Sequence, residues 1–330
     1  MPMHRRRLAR TLSLLAVVSL APALALAQVP GSGQKMYRLA HITTATISEQ
    51  MSRDIVLGEL ARLGFREGSN LVFDSRVGTT EQLPDLMQAI LSAKPDAIIA
   101  VGGAALKAAA SVTRTVPIVM FADEPVTLGY AEDLARPGGN FTGIANMLVQ
   151  LHGKRLTLLL EAMPGTRRLA ALLRSTDPSR EPKQEAMRQA ARQTGVELVE
   201  FLVRQPSEYA GTFAAMQAAG ARGVIIAADP EFNRDEVELA ALATRHGLAS
   251  SCEWASMARA GCLMGYGPQP RLLRIRLAQI VARILQGTKP EDLPIERASQ
   301  FDLALNQATA RTLGVTFPPS LLIRADEVID

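Results

Sequence analysis

The stretch Asp96-Ala97-Ile98-Ile99-Ala100-Val101-Gly102-Gly103-Ala104-Ala105-Leu106-Lys107-Ala108-Ala109-Ala110 decides the fold. An apolar run rich in β-branched residues meets two glycines and then an alanine-rich run of high helix propensity. This reads as a buried parallel strand, a tight turn and a helix N-terminus. Glycines at such a turn let a ligand approach the backbone, and the free N–H groups with the helix dipole favour an anion. A plain βα turn is the competing reading. Arg222-Gly223-Val224-Ile225-Ile226-Ala227-Ala228-Asp229-Pro230 repeats the strand-then-break pattern in the second half. Two matching α/β halves imply a cleft between two lobes.

Working outward, residues 37–42 read as the first strand, followed by the hydroxyl-rich loop Thr43-Thr44-Ala45-Thr46. A helix from Ser48 stops at Leu63-Gly64. Strands at 71–76 and 116–121 flank a helix at 81–93 and the organising strand, and the fourth strand runs into Asp123-Glu124. After the glycine-rich loop at Gly138-Gly139, residues 141–144 carry the chain towards the second half. There, strands at 169–173, 196–203 and 223–227 alternate with helices. Ser175-Thr176-Asp177-Pro178 follows the first of them, and a long amphipathic helix covers about 271–285. The alternation is that of an α/β protein with two doubly wound parallel-sheet lobes and a ligand cleft between them.

The first 27 residues stand apart. Arg5, Arg6, Arg7 and Arg10 precede an apolar stretch that ends in Ala25-Leu26-Ala27, the pattern of a cleavable secretory signal peptide. The expected destination is the periplasm, and three adjacent arginines leave Sec and twin-arginine export both open. Those four arginines account for the whole formal net charge of +4, so a nucleic-acid partner is not indicated. Cys252 and Cys262 enter an oxidising compartment; a bridge between them and a pair of buried free thiols are both open readings.

Several stretches together resemble the ABC-transporter substrate-binding proteins related to tryptophan- and tyrosine-binding periplasmic proteins. They are Leu63-Gly64-Phe65-Arg66-Glu67-Gly68-Ser69-Asn70, Arg136-Pro137-Gly138-Gly139-Asn140-Phe141-Thr142-Gly143, Ala228-Asp229-Pro230-Glu231-Phe232-Asn233, Met264-Gly265-Tyr266-Gly267-Pro268 and the tail from Pro318 to Ile329. The resemblance implies a type I periplasmic-binding fold with three crossings. It gives an N-terminal lobe of 36–145 plus 268–290 and a C-terminal lobe of 146–267 plus 291–330. Ser175-Thr176-Asp177-Pro178 stands where relatives usually carry Asn-Pro-Asn, and Cys252 and Cys262 stand where the resemblance implies other residues.

Catalytic signatures are missing from the sequence. His41, His152 and His246 lack zinc-like spacing, and there is no nucleophile elbow, dinucleotide fingerprint or phosphate-binding lysine loop. Asp123 and Glu124, adjacent on one loop, suit a loop or helix-capping role better than an acid/base pair. The expectation is a cofactor-free binding protein, not an enzyme. It would act as a monomer, delivering an amino acid or other small carboxylate to an ABC permease. A ligand sensor docking on a membrane receptor and, more remotely, a secreted α/β enzyme are the alternatives. Thr43, Thr44 and the amides of Gly102, Gly103 and Ala104 would supply donors. Asp229 would accept an ammonium, or else cap the helix before Glu231. Phe232 and Tyr266 would be apolar walls, and Asp123 and Asp177 complete the ligand-facing set.

Overall fold

The computed structural model describes residues 35–330; the signal segment read at 1–27 lies outside them. The first sheet is wholly parallel. It contains β1 (Tyr37–Thr43), β2 (Leu71–Val77), β3 (Ala97–Val101), β4 (Ile118–Ala122), β5 (Phe141–Ala145) and β11 (Glu296–Arg297), in the order β2-β1-β3-β4-β5-β11. The second contains β6 (Arg168–Arg174), β7 (Glu197–Val203), β8 (Gly223–Ile226), β9 (Ala249–Cys252), β10 (Met264–Pro268), β12 (Phe301–Asn306) and β13 (Glu327–Ile329). Its order is β7-β6-β8-β9-β10-β12-β13, and only the β10–β12 pairing is antiparallel.

Strand β3 is buried along its whole length because helices cover both faces of the sheet. Successive side chains alternate between those faces. Ala97, Ile99 and Val101 join Leu277 and Val281 on one side, while Ile98 and Ala100 join Met87 and Leu106 on the other. The second sheet divides its core in the same way: Leu169, Ala171 and Leu173 lie on one face, Ala170 and Leu172 on the other.

In the first lobe α1 (Thr46–Met51) and α2 (Gly58–Arg62) are joined by a π-helical turn, Ser52–Leu57; α3 (Leu83–Ser92) and α4 (Gly103–Val112) follow. The second carries α5 (Leu148–Ala162), α6 (Arg180–Thr194), α7 (Tyr209–Ala218), α8 (Pro230–Arg234), α9 (Glu236–Arg245) and α10 (Ala255–Arg259). Helix α11 (Pro270–Leu285) returns to the first sheet, burying Leu277, Val281 and Leu285 there. Helices α12 (Gln307–Leu313) and α13 (Pro319–Arg324) finish the second lobe.

One boundary differs from the sequence reading, which hands the chain back to the second lobe at Glu291. Leu293, Ile295 and Ala298 are buried in the first lobe's core, and Glu296 and Arg297 pair with Ile144 and Ala145. The last crossing therefore falls between Ala298 and Phe301. At the first crossing Met147 adopts a left-handed conformation, φ 62°, and Asp123 Oδ2 accepts the Val149 N–H at 2.7 Å. The capping role read for this carboxylate is thus what its geometry provides.

Candidate ligand-binding cleft

In each sheet the chain reverses its direction of winding between the first and third strands laid down, at β1/β3 and at β6/β8. Open α/β sheets bind ligands at such switch points, beyond the carboxyl ends of the strands. Here the two face each other. A cavity of about 280 Å³ lies between them, at the small end of ligand sites. Thr44, Gly102, Gly103, Ala104 and Asp123 line it from the first lobe, Asp177 and Asp229 from the second.

Thr43, Phe232 and Tyr266 do not reach it. Thr43 is fully buried and its Oγ1 accepts the Ala45 N–H at 3.4 Å. Phe232 is fully buried beside Tyr209, ring centroids 6.0 Å apart, inside the second lobe's core. Tyr266 sits against Phe301 and offers only its carbonyl, which accepts from Arg155 Nε at 2.7 Å. Strand alternation turns Thr43 away while its neighbour Thr44 takes the cleft side. Phe232 is on the core-facing side of α8, whose Glu231 and Asn233 line the cavity. Around Tyr266 it is the Glu253–Trp254 segment, packed on Gly265 and Gly267, that lines it.

The lobes touch across the cavity. Gly102 has φ +88°, and a Cβ there would stand 2.8 Å from Pro230 Cγ. A Cβ on Gly103 would meet Ser179 Oγ at 3.1 Å and Asp177 Oδ1 at 3.5 Å. The N-terminus of α4, read as an anion site, thus faces the second lobe directly. At the rim, Arg204 pairs with Glu81 at 2.9 Å, both exposed and therefore worth little.

Behind that contact lies a buried ionic network. Lys183 Nζ bonds Asp177 Oδ2 at 2.5 Å and the Ala228 carbonyl. Arg174 binds Glu231, stands 3.9 Å from Asp229 and donates to Thr176 Oγ1 at 3.0 Å. Asp229 Oδ1 accepts the Glu231 N–H at 2.8 Å and so caps α8. Burial opposes the Lys183 charge, but the Asp177, Asp229 and Asp123 carboxylates outweigh it and hold its pKa above the usual lysine value. Burial, reinforced by Asp177, pushes Asp229 up to about 6, and burial with Asp229 pushes Glu231 to about 7. These groups satisfy one another, which fixes the loops after β6 and β8.

Several lining residues escaped the sequence reading, and three stand out. Arg274, on α11, is 4% exposed and lies 4.8 Å over the Phe121 ring. Glu253 is 3% exposed, and its Oε2 has no hydrogen-bond partner among the described residues. Trp254 follows it. This segment packs onto β10 only because Gly265 and Gly267 lack side chains; a Cβ on either would strike the backbone of Trp254 or Glu253. A disulfide joins Cys252 to Cys262 and brackets Glu253, Trp254, Ser256 and Arg259, all of which line the cavity.

Two parallel α/β lobes with a cavity at their facing switch points make up the type I periplasmic-binding architecture of solute-binding proteins. Residues 48–329 match the family of ABC transporter substrate binding proteins, and the chain belongs to that family. It is 21% identical over 261 residues to a tyrosine-binding protein of Clostridioides difficile, covering 76% of this chain and 72% of that one. Among solved structures, a conserved domain protein from Vibrio cholerae superposes with a TM-score of 0.83 at 21% identity, covering 89% of this chain and 99% of that one. An ABC domain from Streptococcus pneumoniae in complex with L-Trp gives 0.82 at 20% identity, covering 89% and 100%.

Proposed function

We propose that this chain is the extracytoplasmic receptor that captures an amino acid or another small carboxylate and delivers it to an ABC permease. The observation that carries the reading is the cavity itself: about 280 Å³, lined from the switch points of both lobes. That size suits a small molecule. Its wall combines apolar surface from Phe121, Leu148 and Trp254 with polar groups from Thr44, Asn146 and Asp123. The tyrosine and tryptophan ligands named for the relatives agree with such a wall. Family membership supports binding rather than catalysis, and the arginine-led, small-x-small leader supports export. Asp123 and the Gly102–Ala104 turn are proposed to face the ligand on the first-lobe side.

A thermal-shift screen of the twenty L-amino acids and small carboxylates tests this. A ligand at a hundred times its Kd stabilises the folded state by roughly 2.7 kcal/mol. A rise in Tm with one probe class is expected, and deletion of the gene should abolish uptake of the same compound. A flat response across the panel would overturn the ligand class.

A further inference from the structure

We propose that Arg274 is the anchor for the ligand's carboxylate, so that a free carboxylate, rather than an amide or ester, is what the cleft selects. The inference rests on the small-carboxylate reading above and assigns its anionic group to a residue. Helix α11 buries Arg274 in one stripe with Ala278, Val281 and Leu285. In such a stripe a cation is costly unless something answers its charge. Among the other buried cations near the cleft, Arg174 is paired with Glu231 and Lys183 with Asp177, while Arg155 donates to the Tyr266 and Leu148 carbonyls and leaves its Nη2 unpartnered. Arg274 has no hydrogen bond or ion pair among the described residues. Its contact is the Phe121 face, and it lines the cavity. Burial lowers its pKa to about 10, and no neighbouring carboxylate pulls it back. A guanidinium seated over a ring keeps its planar N–H fork available, which suits bidentate capture of a carboxylate. The α4 N-terminus, the competing anion site, is confronted by Asp177 and Ser179.

The test uses isothermal titration of the mature wild-type chain and of Arg274→Lys and Arg274→Gln. The probes are L-tryptophan, L-tyrosine and benzoate, each beside its carboxamide. The carboxylates should bind the wild type and the carboxamides should bind at least tenfold more weakly. Arg274→Gln should lose about 30-fold or more in carboxylate affinity, and with it the preference over the amide. Arg274→Lys, which keeps the charge without the fork, should fall between. Melting curves of both variants report folding, and Arg274→Gln should melt no lower than wild type because an unanswered buried charge has gone. If Arg274→Gln does not fold, Arg274→Lys decides alone. Carboxylate affinity within threefold of wild type in the folded variants, or equal affinity for acid and amide, overturns the assignment while leaving the receptor reading intact. If no probe binds the wild type, the small-carboxylate reading fails and this inference fails with it.

Discussion

Gly102 lies against Pro230: the turn after β3 and the first turn of α8 meet so closely that a Cβ on the glycine would stand 2.8 Å from the proline ring. One lobe's switch-point turn is therefore the seat on which the other lobe's helix N-terminus rests. This places Gly102 and Gly103 at the contact between the lobes as well as in the cavity wall.

The two glycines separate strain from closure. Gly102 has φ +88°, where a side chain is strained, whereas Gly103 starts α4 without positive φ. Gly102→Ala should cost on the order of 1 kcal/mol of stability and also obstruct closure. Gly103→Val should leave Tm nearly unchanged but press on Ser179, lowering ligand affinity by about tenfold, or roughly 1.4 kcal/mol. Small-angle scattering with ligand should show this variant held more open than wild type. Full closure and unchanged affinity would sink the idea.

Asp229 has a structural occupation that Asp229→Ala can expose. Its Oδ1 caps α8 and its other oxygen faces Arg174. Losing a cap costs about 0.5–2 kcal/mol, and Asn, which also caps, should recover part of it. Melting curves of the two variants give the comparison. An unchanged Tm with lost binding of an amine-bearing ligand would instead make Asp229 the ammonium acceptor.

The strand-and-helix alternation was legible because buried parallel strands and glycine-terminated helices leave strong local marks, as in 96–110. The charged side of the site was legible in principle. Arg274, Lys183 and Arg155 each interrupt an apolar helical stripe, beside Leu277 and Ala278, Met187, and Leu156 and Leu159. What local pattern does not carry is which side of a strand end or of a one-turn helix faces the cleft, and so Thr43 and Phe232 point into the core, while Tyr266 lies behind the Glu253–Trp254 segment. Nor does it carry distant pairing: two-residue β11 gains its place only by joining β5.

Glu253 sets a pH dependence with a definite sign. Burial pushes its pKa to about 8, although Arg155 and Lys183 pull it down. From about pH 4.5 to 8 the folded chain then binds a proton that the unfolded chain has released, so this group's contribution to stability falls as pH rises through that window. Buried His41, held to about 3 chiefly by burial and then by Arg274, acts oppositely between about 3 and 6.5. The difference between Glu253→Gln and wild type isolates the carboxyl. Urea melts should show the variant gaining relative stability steadily from pH 5 to pH 8. A difference that is constant with pH would place Glu253 in contact with solvent or a fixed cation.

The Cys252–Cys262 bond closes a short loop that carries Glu253, Trp254, Ser256 and Arg259 into the cavity wall. Cross-linking limits the unfolded chain, and a loop of this size is worth about 2–3 kcal/mol. Both sulfurs belong to fully buried residues, so a mild reductant should act slowly on the native protein and quickly once it is unfolded. The double variant Cys252→Ser, Cys262→Ser should lower Tm by several degrees. It should also weaken ligand binding beyond any change in Tm, because Trp254 and Glu253 lose the staple that holds their backbone onto Gly265 and Gly267. Titration well below the variant's Tm separates the two effects. Wild-type affinity in the folded double variant would show that β10 alone positions the segment and that the disulfide serves stability only.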